Sequence, residues 1–173
     1  VNDNYEGSGL YTINMYPNFK ACEGNGSCFD DNYIDACGIC NDPDDAWVIT
    51  DSVDFEFNMS TDSGSNYNVA KTTTLFDPIH GEDGSNGGVA YSGGRDLAQG
   101  TGFQDLMGSL GNDNDQSGSG YLHLFNPSST TFVKHFISRT HYSHASNYAL
   151  SMFIAGYGNT TSSVDAIQFK MSS

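Results

Sequence analysis

Positive charge is what this sequence lacks most: Lys and Arg together number 6 against 21 Asp and Glu, a formal net charge of −15. A surface that tracks phosphate needs clustered Lys and Arg, so nucleic acid is excluded as a partner and anionic lipid is repelled. No run approaches the ~18 apolar residues of a membrane-crossing helix, which argues against membrane insertion. Val1 opens no basic leader region, which suggests a chain already processed or one released by assembly or lysis. Heptads and internal repeats are missing, and so are Gly-x-Ser-x-Gly, His-Glu-x-x-His and the Walker loop. A glycosidase carboxylate pair needs no local motif, but nothing marks one, and the chain reads as non-enzymatic. Strong acidity is then a solubility device, its self-repulsion screened in salty water.

What is present belongs to β structure. Glycine is abundant, at 20 residues, and Ser, Thr and Asn fill the breaks between short runs of β-branched and aromatic residues. The clearest run is Val53 to Met59, where Val53, Phe55, Phe57 and Met59 alternate with Asp54, Glu56 and Asn58, the period of a half-buried strand. Further strands are expected at Leu10 to Tyr16, Val69 to Phe76, Gly120 to Phe125, Thr131 to Thr140, Asn147 to Tyr157 and Val164 to Met171. Turn signals separate them, at Thr61 to Asn66, Asn126 to Ser129 and Gly156 to Thr160. Asp96 to Leu110 reads either as a helix, with Leu97, Phe103, Leu106 and Leu110 on one side, or as a loop and a strand, since Gly100, Thr101 and Gly102 interrupt it. The pattern predicts one all-β domain over residues 1–173, an antiparallel jelly-roll-like β-sandwich. Residues 1–46 would form an N-terminal strand and a cysteine-rich insertion, and 47–173 the core.

Cys22, Cys28, Cys37 and Cys40 lie within nineteen residues of one another. Their spacing lacks the paired C-x2-C units of a zinc ribbon, and the Gly, Asn and Asp around them suit an extracellular loop, so disulfides are favoured over a metal knot. Three connectivities are open, with Cys22–Cys28 and Cys37–Cys40 preferred. Asp113-x-Asp115-x-Ser117-Gly118 matches the first half of a calcium loop, but Leu124 stands where the bidentate acid belongs. The reading against it is a polar hairpin turn, and the acidic run Asp42-x-Asp44-Asp45 is a weaker candidate still. His135, His141 and His144 cluster in sequence, yet in a strand His141 and His144 point to opposite faces, so hydrogen-bonded histidines are expected rather than a zinc site. Aromatic residues make up 13% of the chain. Most Phe belong to the core by alternation, while Tyr67, Tyr91, Tyr142 and Tyr157 are candidates for a sugar-stacking or subunit-contact surface.

From about Asp51 onward the sequence resembles small structural proteins of marine tailed bacteriophages. The likeness lies in Phe57-Asn-Met-Ser-Thr-Asp-Ser-Gly-Ser-Asn-Tyr-Asn68, Lys71-Thr-Thr-Thr74, Asp96-Leu-Ala-Gln99 and Gly111-Asn-Asp-Asn-Asp-Gln116. It continues in Leu124-Phe-Asn-Pro-Ser-Ser-Thr-Thr-Phe-Val-Lys-His-Phe-Ile137, Ala155-Gly-Tyr-Gly-Asn-Thr-Thr161 and Asp165-Ala-Ile-Gln-Phe-Lys-Met171. The resemblance implies a virion-surface role as a tail-fibre tip or head decoration, without catalysis, with copies of itself, other virion proteins and a host surface glycan as partners. Two departures stand out. Cys37-Gly-Ile-Cys40 resembles segments of bacterial extracellular proteins where the family has an opening strand pair. A last strand after Met171, usual in the family, is missing, which suggests that a neighbouring subunit supplies it or that the chain is a fragment. A carbohydrate-binding module and a filament subunit with donated strands are the competing expectations.

Overall fold

The computed structural model describes residues 10–15 (backbone only), 52–113 and 115–172. Within them lie ten strands: β1 (Leu10–Met15), β2 (Val53–Ser60), β3 (Lys71–Gly81), β4 (Gly87–Tyr91), β5 (Ala98–Gly100), β6 (Gln104–Leu110), β7 (Gly118–Phe125), β8 (Lys134–His144), β9 (Tyr148–Gly158) and β10 (Ala166–Met171). All pairings are antiparallel, and no helix occurs among the described residues. The strand order is β10-β2-β6-β8-β9-β3-β4, with β7 between β1 and β8 and β5 beside β3.

The β6–β8 junction rests on one residue pair, Leu110 opposite His144. At that corner the sheet turns, so that β2 and β6 lie across the inner face of β3, β7, β8 and β9. Alternation places the core. In β8, Lys134, Phe136, Ser138, Thr140 and Tyr142 are buried, while His135, Ile137, Arg139 and His141 are exposed. Phe57 meets Phe136 edge to face at 5.0 Å between ring centroids. Phe169 of β10 stacks on Phe55 at 5.9 Å. Polar groups tie the two halves as well: Thr140 Oγ1 donates to the Leu106 carbonyl at 2.6 Å, and Thr73 Oγ1 to Gln104 Oε1 at 2.7 Å. Gly156 is required where the strands crowd, because a Cβ there would sit 2.7 Å from the Thr72 carbonyl oxygen.

The segment from Asp96 to Leu110 is two strands, β5 and β6, rather than a helix. The broken alternation of β6 has a physical source. Phe57 pairs with Gln104, Phe55 with Met107 and Val53 with Leu110, so the register shifts twice along β6. Each shift inserts a residue that breaks strict alternation, so that 104, 106, 107, 108 and 110 are all buried. Ser109, at φ 52, absorbs one of the bulges.

Phe57 is fully buried and joins both halves of the sheet. Phe57→Ala should lower unfolding free energy by about 3–5 kcal/mol. Urea denaturation would show this as a lower midpoint at unchanged slope.

Candidate interaction surface

The sequence-predicted site residues scatter when placed on this fold. Asp113, Asp115 and Ser117 lie exposed in the β6–β7 connection. Gln116 Oε1 accepts the Asp113 backbone N–H at 3.1 Å, closing that turn on itself. Among the described residues no three His, Cys, Asp or Glu side chains gather as a metal site. Cys22, Cys28, Cys37 and Cys40, and with them the acidic run at 42–45, lie outside the described residues. His141 Nδ1 hydrogen-bonds Ser151 Oγ at 2.9 Å, while His144 accepts the Ser146 N–H at 3.0 Å.

The four tyrosines divide. Tyr142 is core rather than surface: it is 2% exposed, and its hydroxyl accepts the Gly108 N–H at 2.8 Å. Burial pushes its phenol well above the usual range. The correction follows from strand length, since β8 runs on to His144 and the inward alternation reaches Tyr142. Tyr67 is half-buried, with its backbone carbonyl committed to Asn58. Tyr91 is 58% exposed, and its hydroxyl donates to Asp96 Oδ2 at 2.5 Å, which raises the phenol pKa. Tyr157 sits on the outer face of β9, its ring 5.7 Å from that of His135.

That outer face carries a feature no local pattern announced. Register aligns Tyr121, Arg139, Phe153, Phe76 and Tyr91 as a row crossing β7, β8, β9, β3 and β4. Phe76 and Phe153 stack with centroids 4.8 Å apart and planes within 4°. From the other side the Arg139 guanidinium carbon lies 4.7 Å over the Phe153 ring. Ile137 and Phe76 are 47% and 46% exposed. Across the outward positions of β7, β8 and β9, and from Thr72 to Phe76 in β3, there is no Asp or Glu. Among the described residues no carboxylate ion-pairs with Arg139. Tyr121, Arg139, Phe153 and Phe76 lay within expected strands and Tyr91 did not; what aligned them was register, which alternation does not encode.

Two other polar arrangements are already satisfied internally. Arg95 lies 3.1 Å from Asp54 and 2.7 Å from Asp105. Burial, followed by the charge of Asp54, holds the Asp105 carboxyl above its ordinary range despite Arg95. A cavity of about 360 Å³ beneath β4 is lined by Asp77, Arg95 and Tyr142 among others. The Asp77 carboxylate there accepts Ser92 Oγ, and Arg95 is spent on its two acids. In the interior, Lys71 is fully buried, with Nζ on Asn58 Oδ1 at 2.5 Å and the Val69 carbonyl at 3.0 Å.

Comparison with protein-family models, curated proteins and solved structures returned no match.

Burial lowers the Lys71 ammonium pKa from 10.5 to about 8. Below that value the buried charge destabilises the fold; between pH 8 and 10.5 the unfolded chain holds the extra proton, so stability should rise with pH, by up to about 3 kcal/mol. Denaturation midpoints across that window would show the slope in the free-amine protein, and Lys71→Met should remove it.

Proposed function

We propose that this chain is a non-enzymatic structural and interaction module of a phage particle surface, a jelly-roll-like sandwich that assembles with copies of itself through the outer face of β7, β8, β9 and β3. The observation that carries the reading is the aromatic row on an outer face that bears no carboxylate across β7, β8, β9 and Thr72 to Phe76 of β3, in a chain of net charge −15. Between two such molecules charge repulsion opposes contact almost everywhere, and least where no carboxylate stands. Exposed Ile137 and Phe76 supply apolar area to bury, with Arg139 set among them as an anchor of the kind enriched in protein interfaces. The sequence resemblance to phage structural proteins points the same way, and an extracellular setting suits disulfides among Cys22, Cys28, Cys37 and Cys40.

Ring geometry ranks the alternative carbohydrate-binding role second. A sugar stacks on an open ring face, but Phe153 is covered by Phe76 on one side and Arg139 on the other.

Light scattering on the purified protein should reveal a concentration-dependent oligomer that strengthens as salt rises and screens the repulsion. Ile137→Asp, which returns a carboxylate to the face, should weaken self-association by about ten- to a hundredfold without unfolding the chain. A monomer at every salt and concentration would sink the assembly reading and send the search to glycans. Dissociation by a chelator would instead make ligands of Asp113, Asp115 and Ser117.

A further inference from the structure

A lysine sealed in a protein interior ordinarily answers to a carboxylate. Lys71 does not: its Nζ contacts two neutral oxygens, Asn58 Oδ1 at 2.5 Å and the Val69 carbonyl at 3.0 Å. No carboxylate among the described residues pairs with it. Asn58 is equally buried, and its amide can face only one way. Nδ2 donates to the carbonyls of Tyr67, Thr101 and Gly102 at 2.6, 3.0 and 3.3 Å. Oδ1 accepts the Met59 N–H at 2.8 Å as well as Nζ. The amine is therefore locked against the carbonyl side of a primary amide and shielded from water. Because a C=O bond is about 1.2 Å long, Cγ of Asn58 lies within roughly 3.7 Å of Nζ, close to the separation of reactants poised to combine.

We propose that Lys71 and Asn58 join in an intramolecular isopeptide bond, an amide between Nζ and Cγ that ties β2 covalently to β3. The neutral Nζ attacks Cγ, and the charge developing on Oδ1 is met by the Met59 N–H. The intermediate collapses by breaking the bond from Cγ to Nδ2. The proton lost by Nζ ends on the departing nitrogen, which leaves as ammonia. Nothing is oxidised or reduced, and no water is consumed. Burial among neutral acceptors favours the uncharged amine, while confinement replaces a bimolecular encounter by an internal one, with effective molarities on the order of 10⁵ M or more. With no described carboxylate at Lys71 to relay the proton, conversion is slow and gathers pace above about pH 8, where Nζ is uncharged. The bond would close the segment from Asn58 to Lys71 into a covalent ring and erase the Lys71 charge.

Intact-mass measurement of the full chain, reduced and denatured after storage at neutral pH and at about pH 9, tests this directly. The expected product is lighter by about 17 Da, the mass of ammonia, and accumulates with time and with pH. Protease digestion should yield one branched peptide containing both residues. Lys71→Met and Asn58→Ala should yield no branched peptide and lack the wild type's additional loss of about 17 Da. The sequence mass persisting at every age and pH, with no branched peptide, would overturn the proposal. So would an ammonia loss that is undiminished in Lys71→Met and yields no Asn58–Lys71 branched peptide in the wild type, since an asparagine that closes on the backbone nitrogen after it, as at Asn25-Gly26 or Asn86-Gly87, sheds the same mass. Wild-type mass and the branched peptide decide the matter even if a variant fails to fold.

Discussion

The edge-to-face contact of Phe57 with Phe136 sets the distance between the two halves of the sheet, and most of the structure follows from it. With those rings in place, Leu106, Met107, Met152 and Ile154 fall into one continuous interior. The polar ties between halves, Thr140 to Leu106 and Thr73 to Gln104, form only at that separation. Few polar atoms are stranded by this packing: no buried side-chain nitrogen or oxygen among the described residues lacks a partner. Even the two buried lysines find acceptors, Lys134 reaching the carbonyls of Phe132 and Thr160. A core that carries cations on neutral oxygens spends stability on specificity of register, because a shift of one residue would expose the apolar set and strand the ammonium groups.

Much of this was legible in the residues. β2 and β8 announce themselves by alternation, and turn residues mark their ends; Asn147, at φ 60, closes the β8–β9 hairpin in a conformation asparagine tolerates better than most residues. Strand β6 was ambiguous because two bulges overwrite its period. β4 and β5 were not anticipated: β4 is exposed along its whole length and β5 is three residues long, so neither carries an inside–outside pattern. The same limit explains Tyr142, which turn-like surroundings placed at the surface and four further residues of strand placed in the core.

The outer face shows where local reasoning ends. Each of Tyr121, Arg139, Phe153, Phe76 and Tyr91 is unremarkable in its own strand. Their alignment depends on five strands adopting one register, and three of those strands are joined by connections whose geometry the sequence leaves open. The Asn58–Lys71 contact has the same origin. Asn58 was expected on the polar side of its strand, and the backbone of residues 67–70 and 101–102 then covers that side.

The stacked row also has a thermodynamic consequence for anything that docks there. Arg139, Phe153 and Phe76 hold one another by ring and guanidinium contacts made within a single chain. Their rotamers are settled before an encounter, so contact would forfeit little of the side-chain freedom that flexible surfaces lose, on the order of 1 kcal/mol for each immobilised side chain. A face assembled in advance in this way favours partners that match its shape as it stands, and differences among them would be expressed mainly in how long they stay.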